Sequence, residues 1–121
     1  MKKIIAIILF TLCINCLKAQ NLVPNSDFET YIECPDTSLL QFHALLDSTW
    51  YQFGSADYFN ACDTSNYNGV PINFIGGYQY AHSGNAYAGL IAYNSMALDR
   101  EYIEVGLISP LVASQLYYVR Y

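Results

Sequence analysis

The chain has 121 residues, of which 54% are hydrophobic, 16% aromatic and only 12% charged. Its formal net charge at pH 7 is −5, and only five residues are Lys or Arg. Such a scarcity of basic side chains argues against nucleic acid and anionic lipid headgroups as partners. Neutral or cationic partners remain, including glycans and divalent metal ions.

The first 19 residues predict a secretory signal peptide. Two lysines precede an apolar run that is too short to span a bilayer, and Ala19 is a small residue before the expected cut. Neither Cys13 nor Cys16 follows a small residue, which disfavours a lipid anchor. Cleavage after Ala19 leaves two arginines against ten carboxylates, a net charge of −8 with neutral histidines. We therefore expect an exported protein with one domain over residues 20–121.

Two cysteines remain after this cleavage, Cys34 and Cys62. In an exported chain they are expected to form a disulfide, and the alternative is a pair of buried free thiols. In the chain-entropy model, closing a loop of about 29 residues stabilises the fold by roughly 3.6 kcal/mol.

Residues 21–30 (NLVPNSDFET) open the expected mature chain and predict a short strand broken by a Pro-Asn turn. In a strand, Asp27 and Glu29 would project to one face while Phe28 enters the core. Convergent oxygens suit a metal ion, and two carboxylates roughly 5–9.5 Å apart suit a glycosidase. The open alternatives are a structural calcium site, a solvated acidic edge and a catalytic carboxylate.

Residues 38–47 (SLLQFHALLD) carry the one helical pattern after the signal. Ser38 is a suitable N-cap for a short helix within a loop. The apolar residues at near-helical spacing are Leu39, Phe42, Leu45 and Leu46.

Residues 50–77 predict a long ordered loop, since they combine many aromatic residues with Asn, Asp, Ser and Gly. An exposed aromatic ring here would suit a glycan, because sugar rings stack their C–H faces on aromatic faces. The alternative for each ring is packing in the core around the disulfide. The candidate ligand-binding aromatics are Trp50, Tyr58 and Tyr67.

Three later segments predict β-strands: NAYAGLIAY at 85–93, EYIEVGLIS at 101–109 and QLYYVRY at 115–121. In the second, Tyr102 and Glu104 alternate with Ile103 and Val105, which is typical of a half-buried antiparallel strand.

The remaining polar residues give no catalytic pattern. His43 and His82 are not spaced for a serine or cysteine nucleophile, and no G-x-S-x-G or phosphate-binding glycine loop occurs. Arg100 has two open interpretations, namely a surface ion pair and a contact that orients an acidic or hydroxylated ligand.

These elements predict an all-β protein, an antiparallel β-sandwich of jelly-roll type. About five strands are recognisable, whereas such a sandwich needs seven or eight. The last segment also stops at Tyr121 in mid-strand. We therefore expect a fold that is incomplete at its C-terminus, recorded from a longer protein.

A set of motifs in fixed order carries a family resemblance: NLVPNSDFE after the signal, TWY before ADYFNAC, then GVPINFIGGYQYAHSGNAYAGL and REYIEVGLISPLVASQLYYVRY. Together they resemble the galactose-binding-type, carbohydrate-binding-like jelly-roll module of exported Bacteroidota cell-surface proteins. Such modules commonly precede an OmpA-like peptidoglycan-binding domain or a gliding-motility/type IX secretion sorting domain. In such modules a Gly usually stands at the positions of Ser26 and Ser114.

The resemblance also implies a structural calcium ion. Glu29 stands where the family places a calcium-binding side chain, and the turn from Ser83 to Asn85 stands where backbone carbonyls contribute. The third carboxylate of that site usually lies near a C-terminal strand that this chain lacks.

The expected function is non-catalytic: an exported binding or surface-display module whose ligand is a glycan. The first alternative is a structural spacer for an absent peptidoglycan-anchoring or sorting domain, through which the protein would associate with the cell envelope. The second alternative is a glycoside hydrolase fragment. The expected location is the periplasm, the outer-membrane surface or the extracellular space.

Overall fold

The structure is a computed structural model that describes residues 20–35, 49–74, 77–93 and 100–120. The expected signal peptide and the expected helix over 38–47 lie outside these residues. The described part contains six strands and no helix: β1 Trp50–Phe53, β2 Asp57–Asn60, β3 Ile72–Asn73, β4 Gly77–Tyr78, β5 Ala86–Gly89 and β6 Tyr102–Val105. They pair as three antiparallel two-stranded sheets, β1–β6, β2–β5 and β3–β4. The all-β prediction is confirmed, and the jelly-roll sandwich stays a prediction.

The loop prediction for 50–77 is wrong for eleven residues, namely those of β3, Gly77 of β4, and the longer strands β1 and β2. Their aromatic residues favour strands, but the strands are short and interrupted by Gly54 and Ser55. Their partners come much later in the chain, where Trp50 pairs with Val105 and Asp57 with Gly89. Local composition cannot reveal hydrogen bonds to such distant segments.

The loop prediction holds for residues 61–71, which contain no strand. Asp63 organises this loop, because its carboxylate oxygens accept the backbone N–H groups of Ser65 and Asn68 at 2.7 Å each. Burial raises the pKa of Asp63, but hydrogen bonds from Ser65, Asn68 and Tyr67 outweigh burial and hold the pKa below 3.8. The loop is therefore ordered around one ionised carboxylate.

The predicted strands in segments 85–93 and 101–109 are confirmed by β5 and β6. In β6, Ile103 and Val105 pack against the core while Tyr102 and Glu104 are exposed, as the alternation predicts. The predicted strand at 115–121 is wrong for its described residues 115–120, since none of them pairs in a sheet. Ser114 has a φ of 66°, in the left-handed region where the resembling family has Gly.

Two sheets share one core. Trp50, Ile103 and Val105 enter it from β1–β6, and Tyr58, Ala86 and Ala88 enter it from β2–β5. Ala56 between β1 and β2, and Val23 and Phe28 near the N-terminus, complete it. The core side of these sheets is thereby fixed, so the alternate residues of each strand must face away from it.

The disulfide between Cys34 and Cys62 is confirmed, with its two Cα atoms 6.0 Å apart. It ties the N-terminal segment to the residue two positions after β2, beside the fully buried Pro35. A disulfide indicates an oxidising, extracytoplasmic environment.

The predicted Pro-Asn turn is confirmed at residues 24–27, but no strand occurs within 21–30, so the strand prediction there is wrong. Asn25 and Phe28 both have left-handed φ angles, 44° and 60°, which no strand accommodates. The Asn25 side chain accepts from Thr30 N–H at 3.0 Å and donates to the Thr30 carbonyl at 2.8 Å. Phe28 still packs on the core, with its ring centroid 4.9 Å from that of Trp50.

Candidate functional site

One face of the β1–β6 sheet carries a group of exposed aromatic rings. Tyr51 and Phe53 are two residues apart in β1, so both point away from Trp50 and the core. The register sets Phe53 opposite Tyr102 and Tyr51 opposite Glu104. We call these four residues, Tyr51, Phe53, Tyr102 and Glu104, the aromatic face.

The rings of the aromatic face are open to solvent. Tyr51, Phe53 and Tyr102 expose 56%, 58% and 54% of their surface. Directly opposite side chains in an antiparallel pair have Cβ atoms roughly 5 Å apart, and side chains two apart along a strand are separated by roughly 7 Å. The sheet thus presents three closely spaced rings and one carboxylate to a ligand.

A pocket of about 270 Å³ lies on the side of the β2–β5 sheet that faces away from the core. Asp57 and Phe59 alternate with Tyr58, and the register sets them opposite Gly89 and Tyr87. Gln79, Leu90 and Ile91 contribute further lining. We call this the Asp57 pocket.

An aromatic pair supports the pocket. The rings of Phe59 and Tyr87 stack with centroids 4.8 Å apart and planes 24° apart. Asn73 donates a hydrogen bond from its side-chain amide to the Tyr87 hydroxyl at 2.8 Å. Gly89 leaves room for the pair, because a Cβ there would lie 2.7 Å from Phe59 Cε2.

Asp57 is half-buried in this pocket. Burial, together with the nearby charge of Glu101, raises the pKa of Asp57 from 3.8 to about 6. Glu101 is buried and has its own donors, the Ser55 hydroxyl and the Ile91 backbone N–H. The Asp57 carboxylate is therefore destabilised by lost solvation and by repulsion from Glu101. The two hydrogen bonds to Glu101 offset the cost of burying that carboxylate.

The structure brings together Glu29 and the turn that contains Ser83 and Asn85, which the family resemblance implies as calcium ligands. Glu29 Oε1 accepts the backbone N–H groups of Asn85 at 2.6 Å and Ala86 at 2.9 Å. Gly84, with a φ of 68°, makes this approach possible, since a Cβ there would lie 2.7 Å from Glu29 Cδ.

This geometry does not fit a calcium ion. Calcium takes oxygen ligands, but the turn offers N–H groups to Glu29, and the Asn85 carbonyl already accepts from the Ala61 N–H at 3.0 Å. In the described ranges, no three His, Cys, Asp or Glu residues converge as a metal site. Glu29 instead fixes the N-terminal segment to the start of β5, and the calcium ion stays a prediction.

Two of the predicted ligand-binding aromatics are core residues. Trp50 is 9% exposed and donates its indole N–H to the Asn25 carbonyl at 3.0 Å. Tyr58 is 1% exposed, donates its hydroxyl to the Phe28 carbonyl at 2.8 Å and accepts from the Asn60 side chain at 2.7 Å. Neither offers a free ring face to a sugar, so the core-packing alternative applies to both.

Tyr67 and Arg100, the other predicted ligand-binding residues, lie nearer to solvent. Tyr67 is half-buried and stacks at 5.4 Å, with planes 5° apart, on the exposed Phe74. Arg100 is exposed. Of the two histidines, His43 lies outside the described residues, and His82 Nε2 lies 3.4 Å from Arg120 Nη2 at the surface.

Sequence reasoning placed Tyr51 and Phe53 in the aromatic loop but did not single them out, and it missed Tyr102 and Asp57. The signal was present in the alternation of WYQF and DYFN, where Trp50 or Tyr58 in the core would send Tyr51, Phe53, Asp57 and Phe59 to the opposite side. Each run has only four residues, which is too short to separate from an aromatic loop.

No protein-family model, curated protein or solved structure matches the chain, so its class rests on fold and site alone. That class is a disulfide-linked, all-β domain from an extracytoplasmic environment. Within the described residues, no helix is long and apolar enough to cross a membrane.

Proposed function

We propose that the chain is a non-catalytic, exported binding module whose ligand is a glycan that stacks on the aromatic face. The observation that carries this function is the placement of three exposed rings on one sheet surface, opposite a packed core. Aromatic rings stack on the C–H faces of sugars, and Glu104 beside them accepts hydrogen bonds from hydroxyl groups.

Charge narrows the glycan class. The expected mature chain carries ten carboxylates and two arginines, and one of those carboxylates, Glu104, belongs to the aromatic face. An anionic polysaccharide would be repelled by such a surface, so the ligand is a neutral or basic glycan. The domain is the N-terminal part of a jelly-roll sandwich of the carbohydrate-binding-like type and acts at the periplasmic or outer surface of the cell envelope.

The test is a glycan array probed with the folded protein, followed by variants of the aromatic face. One stacking ring contributes about 1 kcal/mol, so Phe53→Ala weakens binding about fivefold, and the double change with Tyr51→Ala weakens it about thirtyfold. Both side chains are exposed, and the variants keep the fold. Tyr118→Ala, at a ring that is 95% exposed elsewhere on the surface, is the matched control and leaves binding unchanged.

Three results would contradict this function. Folded protein that binds no neutral or basic glycan on the array would favour a structural spacer in the cell envelope. Glycan binding that is equally strong in the Tyr51 and Phe53 variants would place the ligand elsewhere. Hydrolysis of a bound glycan would overturn the non-catalytic assignment.

A further inference from the structure

We propose that the Asp57 pocket is a second binding site, which takes the primary ammonium group of a small ligand with an apolar or C–H-rich body. This site lies on the β2–β5 sheet, so it does not depend on glycan binding by the aromatic face of β1–β6.

The first argument is the missing partner of the Asp57 carboxylate. Four carboxylates in the described residues are buried or half-buried, and three of them accept hydrogen bonds: Glu29, Asp63 and Glu101. No hydrogen bond or ion pair reaches the Asp57 side chain from the described part of the chain. The carboxylate has lost part of its solvation and is still open to solvent on one side, so a ligand cation can reach it and replace the lost solvation.

The second argument is the shape and lining of the pocket. Its volume of about 270 Å³ lies just below the range for small-molecule sites, about 300–1,000 Å³, and it is open to solvent on one side, so it suits only a small ligand. Leu90 and Ile91 offer apolar contact, and the stacked pair of Phe59 and Tyr87 supports the same surface. A ligand of monosaccharide size with one charged end matches this combination.

The third argument is charge. Glu101 adds a second negative charge near Asp57, and the chain as a whole is strongly acidic. Among the described lining residues, the only other titratable group is Tyr87. Its side chain is neutral at neutral pH, because burial raises its pKa by more than the hydrogen bond from Asn73 lowers it. The field at the carboxylate therefore attracts cations. A divalent metal needs several converging oxygens, which no described group supplies, so a protonated amine is the matching cation.

The experiment titrates the full folded chain at neutral pH and follows the backbone amide NMR signals of Gly89 and Leu90. The probes are glucosamine, glucose, N-acetylglucosamine and cyclohexylamine. We expect saturable shifts with glucosamine and cyclohexylamine, and none with glucose or N-acetylglucosamine, which lack the charge. Tighter binding of glucosamine than of cyclohexylamine identifies an amino sugar, and the reverse order identifies a simple amine.

Asp57→Asn keeps the size of the side chain and removes its charge, and it should weaken glucosamine binding at least about tenfold. Glu33→Gln, which removes one exposed carboxylate outside both proposed sites, should leave that binding unchanged. Equal binding of glucose and glucosamine by the natural chain overturns the proposal, even if the Asn variant fails to fold. Equal binding by the natural chain and a folded Asp57→Asn variant also overturns it. Neither outcome affects the Tyr51 and Phe53 test of glycan binding.

Discussion

Asp57→Asn should make the free protein more stable at neutral pH. The folded state raises the pKa of Asp57 from 3.8 to about 6, so between these values the folded state holds more protons than the unfolded state. The free energy of unfolding therefore falls as pH rises from about 4 to about 6, and the cost is fully present above that range. Asn carries no charge and does not incur this cost.

The expected size of this effect is modest. A shift of about two pKa units would amount to roughly 3 kcal/mol for a fully desolvated group, and solvent contact at the half-buried Asp57 reduces it to roughly 1–2 kcal/mol. Asp57→Asn should gain that amount at pH 7 and much less at about pH 4, where the carboxyl is protonated in the folded state and about half protonated in the unfolded state.

Urea unfolding followed by the fluorescence of Trp50 measures this effect, because Trp50 is the single tryptophan and lies in the core. Both proteins are measured between about pH 4 and pH 8, and the difference between the two curves isolates Asp57 from Asp63, whose lowered pKa acts in the opposite direction. A variant that is less stable at pH 7, or a difference that does not change with pH, would refute the reasoning.

Three further predictions concern the N-terminal segment and its disulfide. Glu29→Gln should lower the free energy of unfolding by about 1–2 kcal/mol, because a neutral amide is a weaker acceptor for the N–H groups of Asn85 and Ala86. Calcium and a chelator should leave the unfolding of the natural chain unchanged, and a calcium-dependent rise that Glu29→Gln abolishes would instead establish the metal site. Replacing Cys34 and Cys62 together by Ala should lower the free energy of unfolding by about 3–4 kcal/mol in the same assay. A decrease of less than about 1 kcal/mol would show that the disulfide restricts the unfolded chain only weakly.

The sequence predicts well where chemistry and pattern are local. Alternation in Tyr102–Val105 predicts both the strand and its buried face. The predicted signal peptide implies export to an oxidising compartment, where Cys34 and Cys62 are the two cysteines that remain, and they form the disulfide. The family resemblance also places Glu29 beside the 83–85 turn, although the contact uses N–H groups where carbonyls are expected.

The sequence predicts poorly where the partner of a residue decides its role. Trp50 and Tyr58 have the composition of a binding loop, and only pairing with β6 and β5 turns both side chains into the core. The same pairing exposes Tyr51 and Phe53. Which face of a four-residue strand is buried depends on contacts that are distant in the chain, so the candidate site could not be read from the local pattern.

The turn at 21–30 has a practical consequence for where this domain begins. Phe28 packs against the indole ring of Trp50, and the carbonyls of Asn25 and Phe28 accept hydrogen bonds from Trp50 and Tyr58. A protein expressed from residue 31 onward would lack Val23 and Phe28, which pack on the hydrophobic core. It would also leave the indole N–H of Trp50 and the hydroxyl of Tyr58 without these acceptors. The first ten residues after Gln20 are therefore part of the smallest folding unit.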